Sequence, residues 1–279
     1  MIIIFISYIF FGGTHMEETM DLAILEAFFH ISPTGMKDPV LSIPAIDLLN
    51  KSQMDAIVRL GMELYKGKGL DVGASFIGKS FFNLCASLQI VLATNNRFLD
   101  LSLENLTFEI ESHGDHAHTG FKINQLRWKE VPEVERQAWL TEEFKAYFKN
   151  TINPVIELTA LSANVKPDLI WNQFGGSLAY GVDYIIEHEK RQDVIDRYRE
   201  VYDLIANQLP PETFNRKKNP FNHKPKYVDN PYNPGTTLMI RSACCLLYRC
   251  EGHDYCHTCP RMRPEEREEQ RLKILETVK

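Results

Sequence analysis

Cysteine is scarce over most of this chain: of six in 279 residues, only Cys85 lies ahead of position 244. Thiols so concentrated at one end cannot be the disulfide framework of a 32 kDa protein that has a large apolar core of its own. Also missing is the Gly-x-Gly-x-x-Gly fingerprint of a dinucleotide fold, which points away from bound NAD(P)H. An excess of positive charge is lacking too. With 31 Lys and Arg against 37 Asp and Glu, the net charge of -6 leaves no nucleic-acid footprint over the whole chain. There is no internal repeat. The apolar leader Met1 to Phe11 is far short of the roughly 20 residues of a membrane span, so no span is expected. It also lacks the positive start of a good signal peptide.

That leader invites a separate reading. Gly12-Gly13-Thr14-His15-Met16 can be encoded by GGAGGTACACATATG, which sets a ribosome-binding purine run just before a start codon. Met16 is therefore the expected initiator and residues 1–15 a mis-called leader, with a short exported or membrane-tethered form as the alternative.

What the sequence does have is a thiol cluster. Cys244, Cys245, Cys250, Cys256 and Cys259 fall within sixteen residues, as Cys-Cys-x10-Cys-x2-Cys with Cys250 as an extra thiol in the spacer. Thiolates brought that close repel unless a cation neutralises them, so the cluster reads as a metal site. Two chemistries compete. Cys245-x4-Cys250 with Cys256-x2-Cys259 would satisfy a structural zinc. The adjacent pair Cys244-Cys245 favours a 2Fe-2S cluster, because neighbours in a strand point to opposite faces and a diiron cluster is a larger target than one ion. His253 and His257 lie inside the loop, where an imidazole can replace a thiolate or tune the centre by hydrogen bonding.

The run Arg241-Ser242-Ala243-Cys244-Cys245-Leu246-Leu247-Tyr248, followed by Cys256-His257-Thr258-Cys259, resembles the C-terminal signature of the FhuF-type ferric-siderophore reductases. Weaker likenesses run upstream in the same order: Ala74-Ser75-Phe76-x2-Lys79, Leu101-Ser102-Leu103-Glu104-Asn105 and Trp171-Asn172. The resemblance extends from about Asp21 onward, and only its cysteine motif is specific. It implies a bacterial cytoplasmic oxidoreductase whose 2Fe-2S cluster is held by Cys244, Cys245, Cys256 and Cys259. It also implies a ferric siderophore of hydroxamate or mixed citrate-hydroxamate type as substrate. The electrons would come from a separate ferredoxin, flavodoxin or flavin reductase. Cys250 departs from the pattern, leaving five thiols for four positions. Two readings from other classes stay open: a zinc-stabilised binding or scaffold protein using Cys245, Cys250, Cys256 and Cys259, and a nucleotide-dependent enzyme of the siderophore-synthetase type.

Periodicity predicts an α+β fold, largely helical with a central antiparallel sheet and a small C-terminal iron-sulfur subdomain. Residues 16–209 are expected to form the main, siderophore-binding domain, 210–235 a connecting loop carrying six prolines, and 236–279 the subdomain. Helices are expected at Leu22 to Phe28, around Met54 to Tyr65 and from about Ala74 to Ala93, with a loop through Pro39 and Pro44. Two-residue alternation then marks strands at Leu99 to Leu103, Leu106 to Ile110 and Phe121 to Ile123. Four helical segments follow: Glu133 to Lys149, Val155 to Ala163, Pro167 to His188 and Gln192 to Leu209. Thr236 to Ala243 reads as a strand delivering the first cysteine pair, and Pro264 to Thr277 as a charged helix.

Three further motifs have bland readings beside functional ones. Gly73-Ala74-Ser75-Phe76-Ile77-Gly78-Lys79-Ser80 fits a phosphate loop, but its interior is bulky and no buried strand precedes it, so a helix start is expected. His113-Gly114-Asp115-His116-Ala117-His118 has metal-binding side chains in the setting of a polar turn between strands. Arg216, Lys217 and Lys218 precede the cysteines, with Arg241 and Arg249 among them; these five are the candidate substrate residues. Such cations would stabilise an anionic cluster and attract an anionic chelate or an acidic electron donor, where a solvated basic loop is the plain alternative.

Overall fold

A computed structural model describes residues 20–114 and 116–277. The expected leader and the initiator Met16 lie outside the described residues. The fold is α+β. Its first elements are helix α1 (Ala23–Phe29), strands β1 (Ile31–Ser32) and β2 (Pro39–Pro44), and helices α2 (Lys51–Leu64) and α3 (Leu70–Asn95). The strand block follows as β3 (Arg97–Leu99), β4 (Leu106–Ser112), β5 (Ala117–Ile123) and β6 (Trp128–Glu130). Helices return as α4 (Arg136–Tyr147), α5 (Asn153–Ser162), α6 (Asp168–Trp171), α7 (Phe174–His188) and α8 (Gln192–Asp203). Strands β7 (Tyr227–Asp229) and β8 (Thr237–Met239) and the terminal helix α9 (Pro264–Thr277) complete the chain.

The spine of the molecule is α3. Its apolar residues run all round, the pattern of a helix buried on every side. It packs on α2, α5, α8 and β5. Length and composition alone would let it cross a membrane, but most of its apolar window is buried inside the protein, as expected of a core helix. Gly73 permits the closest crossing. A Cβ there would stand 2.0 Å from the Val58 carbonyl oxygen of α2. The phosphate-loop pattern at 73–80 therefore lies wholly inside a helix, where its amides serve the helical ladder instead of a ligand.

The main sheet has the order β1-β5-β4-β2. Its β4–β5 and β2–β4 pairs are antiparallel, whereas the two-residue β1 pairs parallel with β5 through Ile31 and Phe121. Two expectations are corrected here. The segment from Pro39 to Pro44 is a strand rather than a loop, because both prolines sit at the ends of a sheet-edge strand, where a missing N–H costs no ladder bond. Leu101 and Leu103 leave the strand after Leu99, and Leu103–Asn105 forms a 3₁₀ turn. The Asn105 amide clasps that turn, donating to the carbonyls of Asp100 at 2.9 Å and Gln125 at 2.8 Å.

In the helical half, α4 and α5 are joined by a π turn at Phe148–Ile152 just ahead of Pro154, a residue with no N–H to continue an ordinary ladder. The expected helix from Pro167 divides into α6 and α7. In the proline-rich segment, Phe214 and Phe221 are fully buried and meet Phe148 and Trp171.

Candidate metal centre

The cysteine loop is delivered by the β7–β8 hairpin and closed by α9. Strand β8 ends at Met239, earlier than the expected Ala243, so Cys244 and Cys245 lie beyond the pleat that would send their side chains to opposite faces. Leu246 then takes a left-handed backbone, φ 65°, which a branched side chain adopts only under tertiary constraint. Its own side chain is buried against Val72, and its amide points at Cys244 Sγ, 3.4 Å away. Arg241 ties the two halves of the motif together: its amide donates to the Thr258 carbonyl at 3.0 Å and its guanidinium to Cys245 Sγ at 3.1 Å.

The sulfur atoms of Cys244 and Cys259 are 3.6 Å apart. Two thiolates on one tetrahedral ion with bonds of ~2.3 Å stand about 3.8 Å apart, so this pair suits a shared metal. Among the described residues no three His, Cys, Asp or Glu side chains converge on a single point. Burial raises the thiol pKa values of Cys256 and Cys259, so loading a cluster here releases protons.

Residues 241–261 match the family model of the FhuF 2Fe-2S C-terminal domain. The segment is therefore a 2Fe-2S cluster domain of FhuF type. No curated protein matches the chain. With that match, the cysteines make the 2Fe-2S cluster the cofactor in place of structural zinc.

Several contacts seat the 2Fe-2S domain on the rest of the fold. Cys250 forms a backbone bridge with Gly67, the Lys68 amide donates to the Arg249 carbonyl at 3.0 Å, and the Arg249 guanidinium pairs with Asp71. Ser75 Oγ donates to the Cys245 carbonyl at 2.8 Å, and the Gly176 amide to Ser242 Oγ at 2.9 Å. From the other side, Arg267 of α9 donates to the carbonyls of His257 and Cys259 at 2.9 and 2.8 Å. Gln270 donates to the Tyr255 carbonyl at 2.9 Å.

The remaining candidates are placed as follows. Cys250 is buried against Val72 and Leu246, and burial pushes its pKa up. His257 is buried with both ring nitrogens turned to oxygens, Nε2 to the Asp229 carbonyl at 3.2 Å and Nδ1 to Gln270 at 3.3 Å. His253 is exposed in the turn after Cys250. Arg216 pairs with Glu157 and lies 3.6 Å from Asp168. Lys217 and Lys218 line a cleft of about 960 Å³ that also reaches Asn172, His223 and Ser242. Cys85 is fully buried away from the site, and burial holds its thiol protonated.

Two anchors, Arg267 and Gln270, carry no motif that marks them as neighbours of cysteines. The third, Ser75, belongs to the weaker upstream likeness, the one signal in the sequence that pointed toward it.

Proposed function

We propose that the protein is a ferric-siderophore reductase, with Cys244, Cys245, Cys256 and Cys259 as the cluster ligands. When bound, the 2Fe-2S cluster supplies a one-electron couple, the change that weakens the match between hard oxygen ligands and Fe(III) and lets iron leave as Fe(II). The observation that carries the reading is a FhuF-type cluster motif whose thiols are only partly covered: Cys244, Cys245 and Cys256 are half-buried, within reach of partners at the surface. No acid-base residue is needed. Cys250 is left out of the ligand set because its side chain is committed to packing against α3 and its backbone to the bridge with Gly67.

The chain's own residues hold the loop and set its charge. Arg241 places a cation on Cys245, and Arg249 is spent on Asp71, so it anchors rather than binds substrate. Lys217 and Lys218 in the cleft attract an anionic partner, either the chelate or an acidic ferredoxin- or flavodoxin-type donor. The place of action is the cytoplasm, where such donors and imported ferric hydroxamate or citrate-hydroxamate chelates meet.

The test has two parts. Protein purified without oxygen should be red-brown with about two irons per chain, and Ser at 244, 245, 256 or 259 should remove or alter the visible spectrum while Cys250→Ser leaves it largely intact. Chemically reduced protein should then be reoxidised by ferric hydroxamates faster than by ferric citrate, with iron(II) appearing in a ferrous trap. A colourless protein carrying one zinc, or no preference over ferric citrate, would sink the proposal.

A further inference from the structure

The cleft that holds Lys217 and Lys218 lies against the segment leading to the cysteines, and α7 joins the two. A Cβ at Gly175 would stand 2.7 Å from the Pro220 carbonyl oxygen and 2.9 Å from His223 Cβ, and one at Gly176 would stand 2.8 Å from the Ser242 amide nitrogen. Two adjacent glycines thus let the proline-rich loop and the cysteine segment close on successive residues of one helix. Pro220, His223 and Ser242 all line the cleft. Ser242 comes two residues ahead of Cys244, a separation of at most ~7 Å between Cα atoms even in extended chain. A molecule in the cleft therefore lies beside the start of the cysteine motif.

Size and shape suit a small molecule. A volume of about 960 Å³ stands near the top of the usual range for such sites, roughly 300–1,000 Å³, so a bulky chelate fits, whereas a folded donor protein meets a concave wall it cannot fill. The lining offers both kinds of surface that a hydroxamate chelate carries. Leu209, Pro210 and Pro211 supply apolar contact for alkyl linkers. Asn172 brings a carboxamide whose side chain makes no hydrogen bond among the described residues. His223 keeps its Nε2 buried and without a partner among them, and an oxygen lodged against that wall satisfies it.

Charge selects an anion. Lys217 and Lys218 are exposed and take part in no ion pair among the described residues. Arg216 is held by Glu157, and Asp168, the one carboxylate on the cleft walls, lies 3.6 Å from that same guanidinium. The two ammonium groups are left uncompensated. The imidazoles at the tip of the β4–β5 hairpin are a weaker candidate. The ring centres of His113, His116 and His118 are 5.0 to 5.2 Å from one another, and His30 stands 4.3 Å from His118. Yet His113 Nε2 is already on the Glu111 carboxylate at 3.2 Å, and no three donors converge on a metal among the described residues. Burial first, then His30, His113, His116 and Lys79, push the pKa of His118 down to about 4, so that ring brings an anion no charge at neutral pH.

We propose that this cleft seats the ferric chelate, an anionic complex of hard-oxygen donors: Lys217 and Lys218 take its free carboxylate, Asn172 and His223 its hydroxamate oxygens, and Leu209, Pro210 and Pro211 its alkyl linkers. This rests on the reductase reading and adds the place where the substrate sits. One electron passes from the reduced centre to Fe(III), giving Fe(II) and the oxidised centre, across the short separation between Cys244 and Ser242. A protein donor feels the same lysines through their field, without entering the cleft.

Redox-inert gallium(III) separates docking from reduction. Binding of an anionic gallium(III) citrate-hydroxamate chelate and a neutral gallium(III) tris-hydroxamate would be measured calorimetrically on the full, cluster-loaded chain, with visible and far-ultraviolet spectra recorded for every variant. Lys217→Gln/Lys218→Gln, at two exposed positions, should weaken the anionic chelate about tenfold and the neutral one less than twofold. Asn172→Trp, which fills the cleft from an exposed position, should weaken both at least tenfold. Lys224→Gln/Lys226→Gln removes the same charge from the same loop outside the cleft and should leave both affinities within twofold of wild type. An equal loss in that control, or wild-type affinity in Asn172→Trp and in the cleft lysine variant, would overturn the placement. If ferric chelates still reoxidise the reduced cluster at wild-type rates in those cleft variants, the placement falls and the reductase reading stands. Gallium binding that is lost in the cleft variants while ferric chelates fail to reoxidise the wild-type cluster would keep the site and reject the reaction. Failure of the anionic gallium chelate to bind the wild type would overturn the placement and count against the reductase reading as well.

Discussion

Arg241 carries two tasks through two different groups. Its amide closes the motif on itself by reaching Thr258, and its guanidinium donates to Cys245 Sγ at 3.1 Å. A hydrogen-bonded cation beside a ligating sulfur favours the more negative, reduced state of an iron-sulfur centre. Replacing the guanidinium while leaving the backbone alone isolates that effect. Arg241→Met is expected to keep the cluster but lower its one-electron potential by roughly 60 mV, the equivalent of one decade in the equilibrium constant. Spectroelectrochemical titration reads it, and an unchanged potential would remove Arg241 from the account. His118 gives a second residue-scale expectation. Unfolded, a histidine takes up its proton near pH 6.5, whereas folded His118 resists it down to about 4. Its contribution to stability is thus complete above pH 6.5 and is lost as pH falls toward 4. His118→Gln removes that loss. The fall in melting temperature between pH 7 and pH 5 should therefore be smaller in the variant than in the wild type, with Glu111, Lys79 and the other imidazoles left in place; parallel pH profiles would contradict this.

Elements differ in how far their own sequence announces them. Helices α2 and α8 carry apolar stripes at helical spacing, and α9 runs over the predicted Pro264–Thr277, because the signals that make them are local. Strand β2 hides between two prolines, and β1 is a two-residue pairing that only the position of β5 creates. The site divides in the same way. The cysteine spacing is a local signal and was legible, whereas Ser75, Arg267 and Gln270 reach the loop from elements whose approach is set by the fold. The crossing of α2 and α3 underlies the Ser75 contact, and Gly73 sets how closely the two helices lie. Gly73→Ala would press a methyl group onto the Val58 carbonyl, 2.0 Å from its Cβ. Relieving such overpacking costs about 1–3 kcal/mol. For a chain of this size that corresponds to a melting temperature lower by roughly 2–4 °C for each kcal/mol. An unchanged melting temperature in differential scanning calorimetry would mean the helices are free to part.

At the scale of the whole molecule, a chain with a net charge of -6 keeps a cationic neighbourhood around its cysteines. Arg241, Lys79 and the cleft lysines 217 and 218 present positive charge to partners although the chain as a whole is acidic. Such an asymmetry orients encounters more than it strengthens complexes. Arg216 is excluded from that steering by its pairing with Glu157, so the lysines are the residues to change. Lys217→Glu/Lys218→Glu should slow the bimolecular reduction of the cluster by an acidic flavodoxin- or ferredoxin-type donor several-fold at low salt. The screening length falls from ~30 Å at 0.01 M to ~3 Å at 1 M ionic strength, so the difference from wild type should fade over that range in stopped-flow traces. The cluster spectrum and the rate with dithionite-type small reductants, once their own charge is matched for salt, separate steering from damage to the centre. A slowing that persists undiminished at 1 M would mean that the lysines touch the donor directly and that long-range attraction is not their role.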